Sequence, residues 1–164
     1  MEPYTETQRF NQPWLKIIFL IPVLTVLSGI IWGEPKKSET LYLVVSFAIM
    51  GAVAALLYFT SLHTRIDETG IKVRFAPYQR RFYFVAWHEL NSVEIRKYKP
   101  LMEYGGWGLR YSFSNGKAFN VRGNLGLQLQ LKSGKKFLIG TQNDVRLSNY
   151  LSELKTRYAI TSIK

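Results

Sequence analysis

The chain changes its hydrophobic period twice. Positions 14–32, WLKIIFLIPVLTVLSGIIW, are apolar except for Lys16, and positions 41–62, LYLVVSFAIMGAVAALLYFTSL, carry no charge. Neither run has the polar face shown by a helix packed on a soluble core. At about 1.5 Å per residue, each is long enough to cross a hydrocarbon layer roughly 30 Å thick. The pattern predicts two transmembrane helices, about 14–32 and 41–62, joined as antiparallel neighbours by the short turn GEPKKSET. Trp14 and Trp32 bracket the first, and Tyr42 and Tyr58 lie near the ends of the second. Amphipathic rings favour these interfacial levels. Ser28–Gly29 and Gly51, Ala52, Ala54 and Ala55 are small enough for close helix approach. No ionisable residue lies mid-span, so neither span points to a pump or an ion pathway.

After Leu62 the period becomes two. RIDETGIKVRF reads as strand, turn, strand, with Ile71, Val73 and Phe75 on one face and Lys72 and Arg74 on the other. Strands follow at RRFYFVAW, SVEIRKY and LRYSF, the last alternating Leu109, Tyr111 and Phe113 against Arg110 and Ser112. Asn115–Gly116 is a strong hairpin signal, answered by KAFNVR. LGLQLQL and KKFLIG, split by Ser133–Gly134, complete a run of short strands at regular spacing, the pattern of a barrel or sandwich. The period then returns to 3.6. Thr141, followed by Asp144, is a candidate N-cap for a helix over about 142–158. Leu147, Leu151, Leu154 and Tyr158 form its apolar stripe, with Arg146, Lys155 and Arg157 outside it.

Three segments follow: 1–13 as an N-terminal segment, 14–61 as a helical hairpin, and 62–164 as a β domain ending in a helix. Charge divides them sharply. The net charge is +11. Residues 1–61 hold four basic and four acidic groups, so the whole excess lies beyond them. Arg65, Lys72, Arg74, Arg80 and Arg81 follow the second span closely, against Lys36 and Lys37 in the turn. The positive-inside rule then sets both termini in the cytoplasm, with the protein in the cytoplasmic membrane. There is no cysteine, which excludes disulfides and thiol chemistry.

Short strands followed by one capping helix resemble the pleckstrin-homology fold. The chain as a whole resembles small bacterial membrane proteins with an N-terminal two-helix hairpin and a domain of that kind. The resemblance rests on IDETGIKVRF, Trp87-His88-Glu89-Leu90, EYGGWGLR, VRGNLGLQLQL and LIGTQ. It implies an α+β protein: a transmembrane hairpin, then a PH-like seven-stranded antiparallel barrel with a C-terminal helix. It supplies no reaction.

Candidate chemistry is sparse. Gly105, Gly106, Gly108, Gly116, Gly123 and Gly126 crowd one stretch, as a phosphate loop does. A phosphate loop opens a helix, however, and here strands follow; Gly116–Lys117 also lacks the Ser or Thr of a P-loop. The glycines read as turns and bends. His63 and His88 have no partner at metal-ligand spacing, and no nucleophile elbow occurs. We expect no enzyme, no metal and no cofactor.

The basic residues lead. Lys72, Arg74, Arg80, Arg81, Arg96 and Lys97 are candidates for anionic lipid headgroups. Lys72-x-Arg74 is similar to the spacing with which PH domains grip phosphoinositides on their first hairpin. Trp107 and Arg110 are candidates for contact with a protein partner or a second copy. The expected function is a non-catalytic membrane-anchored module for anionic lipids or a protein partner. The alternative is an accessory subunit of a membrane complex, assembling through the hairpin. Tyr78, Tyr83, Tyr98 and Tyr111 could stack on bases beside basic residues. Their alternating strand positions favour the core, so nucleic acid is not the expected partner.

Overall fold

A computed structural model describes residues 1–10, 20, 21, 23–25, 27, 28, 31 and 37–164. The chain forms two compact units, one of residues 1–9 and 61–164, the other of residues 10–60.

In the second unit, α1 spans Lys37–Phe59. Its stretch Leu41–Phe59 has a mean hydropathy of 2.2. Among the described residues it is the one helix long and apolar enough to cross a membrane. The expected pair of spans is met by this single helix. Most of the first run, including Trp14, Lys16, Pro22, Gly29 and Trp32, lies outside the described residues, as does the first half of the turn; Leu20, Ile21, Val23, Leu24, Thr25, Leu27, Ser28 and Ile31 are helical, and the second half of the turn forms the start of α1. The helix also stops three residues short of Leu62. Thr60 Oγ1 donates to the Leu56 carbonyl at 2.6 Å and its amide to Leu57, and a strand begins at Ser61.

The first unit is built of two sheets. Sheet A has the order β1 (Tyr4–Arg9), β2 (Ser61–Asp67), β3 (Gly70–Ala76), β4 (Tyr83–Ala86), all antiparallel. One 3-10 turn, Trp87–Glu89, leads to sheet B. Its strands are β5 (Leu90–Lys97), β6 (Gly108–Ser112), β7 (Gly116–Asn120), β8 (Leu125–Leu131) and β9 (Lys136–Thr141). They lie in the order β5-β8-β9-β7-β6. A short helix, α2 (Pro100–Tyr104), joins β5 to β6, and α3 (Asp144–Tyr158) follows β9.

This differs from a seven-stranded antiparallel barrel in three respects. The described residues form nine strands in two sheets, of four and five. The β8–β9 hairpin returns beside β7 in the same direction, so β7 and β9 pair in parallel. In addition, the N-terminal segment 1–13 is not a separate appendage, because Tyr4–Arg9 forms a strand. β1 pairs along its whole length with β2, from Tyr4 opposite Ile66 to Arg9 opposite Ser61. Its inward positions are Tyr4, Glu6 and Gln8, two of them polar, so no apolar alternation reveals it. Hydrogen bonds replace apolar packing there. Glu6 accepts from Tyr4 Oη at 2.7 Å, Gln8 Nε2 at 3.0 Å, Thr141 Oγ1 at 2.8 Å and the Gln142 amide at 2.8 Å. A buried carboxylate is tolerated when donors surround it. This one ties sheet A to the end of β9.

The apolar core lies between the sheets. Ile71, Val73 and Val85 meet Phe119, Leu129, Phe137 and Ile139 there. Period two in the sequence produces this directly, since alternate side chains share a face. α3 buries Leu147, Leu151 and Leu154, while Tyr158 is exposed. Its N-cap is Asn143 rather than Thr141. The Thr141 hydroxyl is engaged by Glu6 and accepts the Asn143 amide. Tyr150 Oη donates to the Ile66 carbonyl, docking α3 on β2.

Strand β6 departs from the expected alternation. Tyr111 and Phe113 are 68% and 99% exposed. β6 is the outermost strand of sheet B, and Phe119, the register partner of Leu109, already stacks on Tyr83 of the last strand of sheet A. Sheet A ends at that point, so an inward-facing pattern on β6 finds no opposing layer. Tyr78, also an alternating aromatic, is exposed in the β3–β4 connection.

Candidate anion-binding face

The outward face of sheet A gathers basic residues through register. His63 lies opposite Arg74, and Arg65 opposite Lys72. Thr7 and Thr5 of β1 extend these rows, and Arg9 lies opposite Ser61. Lys72 and Arg74 share this face because they are two apart on one strand. The Arg74 guanidinium lies 4.7 Å from the ring centroid of Phe82, and the Lys72 ammonium 5.4 Å from that of Phe84. Cations over exposed rings gain quadrupolar attraction of about 0.5–1 kcal/mol. Arg80 and Arg81 are exposed in the connection that precedes β4.

The six candidate residues differ in how much charge they offer. Lys72 Nζ is 2.9 Å from Asp67 Oδ2, with Arg65 Nε at 3.7 Å from the same oxygen. Burial pushes the Asp67 carboxyl up, but hydrogen bonds from Thr69 and Lys72 outweigh it and hold it below its ordinary value. Arg96 Nη2 donates to Glu103 at 2.7 Å, and its Nε to Gln128 at 3.0 Å. That hydrogen bond raises Arg96 and lowers Glu103 relative to their ordinary values. Lys72 and Arg96 are thus largely neutralised within the fold. Arg96 and the exposed Lys97 belong to sheet B, apart from the other four in the topology. Arg74, Arg80 and Arg81 have no carboxylate within ion-pair distance among the described residues.

Arg9 and His63 were not among the candidates. His63 Nδ1 and Nε2 pair with the hydroxyls of Thr7 (3.1 Å) and Ser61 (2.9 Å). Burial, then the charges of Arg74 and Arg9, hold the imidazole below its ordinary value. No local signal marks Arg9, because its place follows from pairing with a strand beyond the inserted unit.

Trp107 is half-buried on its own domain. Its indole N–H donates to the Gly123 carbonyl at 3.0 Å, and its own carbonyl accepts Arg110 Nε at 3.0 Å. The neighbouring glycines serve the backbone: Gly105 ends α2 at φ 70°, and Gly116 opens β7 at φ 75°. Among the described residues no three His, Asp or Glu side chains are grouped to hold a metal ion. Compared with known proteins, the chain matches no family model and no curated protein.

Proposed function

We propose that this is an integral membrane protein whose basic β domain binds anionic lipid headgroups at the membrane that anchors it, without catalysis. One observation carries the reading: the unit containing α1 is inserted between two residues, Arg9 and Ser61, that are register partners in one sheet. Residues 10–60 therefore leave and rejoin the domain at one sheet end. If α1 crosses the bilayer, the rest of the insert has to cross it too, because a single crossing cannot return to its start. This supports two spans, with both termini on the side of the β domain. The positive-inside bias favours the cytoplasmic side. Each surface Lys or Arg near an anionic leaflet contributes attraction of about 1 kcal/mol. The PH-like resemblance fits a display domain of this kind, although the parallel β7–β9 pair lies outside an antiparallel barrel.

The test is vesicle flotation of a domain in which a two-residue turn replaces Phe10–Thr60. Binding to phosphatidylglycerol vesicles that weakens with salt supports the reading. Equal binding to phosphatidylcholine and phosphatidylglycerol vesicles ends it.

A second reading, an accessory subunit for a protein partner, is favoured by the edge strand β6, with Tyr111 exposed on it and Phe113 exposed just past its end. Edge strands offer unpaired backbone groups to a partner. Partner capture by the full chain that is lost on Phe113→Ser, yet kept on Arg74→Gln, supports that reading over the first.

A further inference from the structure

The outer face of sheet A carries two rows of basic residues, two positions apart along each strand. In one, Arg65 and Lys72 stand directly opposite each other. Like charges in cross-strand positions are unfavourable, and Asp67 supplies the balancing charge to both. The second row has no such residue. Thr7, His63 and Arg74 are neighbours across β1, β2 and β3, with Arg9 and Ser61 paired beside them. Among the described residues no carboxylate lies within ion-pair distance of Arg9 or Arg74. Arg74 Nε is buried and makes no hydrogen bond.

We propose that Arg9, His63 and Arg74, with the Ser61 hydroxyl, bind a phosphate group, which provides the countercharge that Asp67 provides to the neighbouring row. This rests on the membrane-anchored reading and names the site within its basic face. Two guanidinium groups and an imidazole on three adjacent strands suit a tetrahedral anion with several oxygens better than a flat carboxylate. The row also stands close to the insert along the chain. Arg9 is the last residue before it, and two peptide steps separate Phe59, the end of α1, from Ser61. That is about 7 Å at full extension, within reach of headgroup phosphates. A lipid phosphate and a free phosphate present the same chemistry, so the experiment separates them.

The full chain is placed in phosphatidylcholine nanodiscs, and the His63 side-chain resonances are followed while inorganic phosphate is added. A second arm uses phosphatidylcholine doped with phosphatidic acid in phosphate-free buffer. Bound phosphate raises the His63 pKa by about one unit, because an adjacent anion favours imidazolium. Arg74→Gln and Arg9→Gln each weaken the response about tenfold. Arg65→Gln, in the row balanced by Asp67, weakens it less than about twofold. A response in the first arm assigns free phosphate, and one in the second arm alone assigns the headgroup. No response in either arm overturns the site. Equal weakening by Arg65→Gln and Arg74→Gln also overturns it, while leaving the general basic-face reading intact.

Discussion

The Glu6 carboxylate accepts the hydroxyl of Thr141 at 2.8 Å across 135 positions of sequence. The first strand of the chain is thereby bound to the last strand of the other sheet. Four donors converge on this one buried side chain. Glu6→Ala removes the shared acceptor, and each buried group left unsatisfied costs about 1–3 kcal/mol, although Gln8 Nε2 keeps the Gly140 carbonyl and the exposed Gln142 can turn to water. The expected loss is about 2–4 kcal/mol after partial rehydration. Hydrogen exchange in the full chain should show it as faster exchange at β1 and at the Gln142 amide, with α1 unchanged.

The pairing of Arg9 with Ser61 makes the insert removable. An Asn-Gly dipeptide in place of Phe10–Thr60 closes β1 and β2 as an ordinary two-residue hairpin. That chain should be monomeric, soluble and cooperatively folded by circular dichroism and thermal melting. A chain that begins at Leu62 loses β1 and the Glu6 network, and should melt lower or aggregate. Equal melting of the two would show that β1 contributes nothing to the fold.

Gly116 lies at φ 75°, where a Cβ would stand 2.1 Å from the Lys136 carbonyl oxygen. The contact is with backbone, so no rotamer change relieves it, and the left-handed conformation disfavours alanine independently. Gly116→Ala should destabilise the domain by at least about 2 kcal/mol, measured by urea unfolding. Gly134→Ala is the comparison: its φ is also positive, but a Cβ there meets nothing within 4 Å. It should cost only the conformational part, about 1 kcal/mol.

Burial pushes the Tyr98 phenol up to about 12, with Asn120 Nδ2 hydrogen-bonded to its oxygen at 3.0 Å. An unfolded tyrosine ionises near pH 10. The folded state therefore holds the proton more tightly, and this contribution is complete below about pH 10. It is lost as pH rises from about 10 through 12, since only the unfolded chain ionises over most of that range. Burial also raises Tyr4, Tyr83, Tyr104 and Tyr150, so tyrosinate absorbance should show a late-titrating group of tyrosines. Tyr98→Phe should remove one of them and flatten the loss of stability in that window.

The strands from β2 to β9 were legible because their apolar residues alternate and glycine or asparagine marks the turns. LGLQLQL coincides with β8 residue for residue. α3 was legible from its leucine stripe. β1 was not, because its inward residues are hydrogen-bonded rather than apolar and its partner lies beyond the insert. The exposure of Tyr111 and Phe113 was equally hidden, since alternation identifies a face and not whether another layer covers it. The candidate site was half legible. Lys72 and Arg74 share a face by spacing alone, but their different charge balance depends on Asp67 reaching Lys72.

The amino-acid sequence by itself determined an apolar stretch fit for a bilayer and a basic, strand-rich remainder. Those properties are local: the length of an apolar run, a period of two, a count of charges. Tertiary structure decided that residues 4–9 and 61–67 are one pair of strands, that β7 and β9 run parallel, and that Arg9, His63 and Arg74 meet on one face. Each of these depends on which strands become neighbours, and that is settled by hydrogen-bond register and burial between distant segments, here through Glu6 and the core it closes.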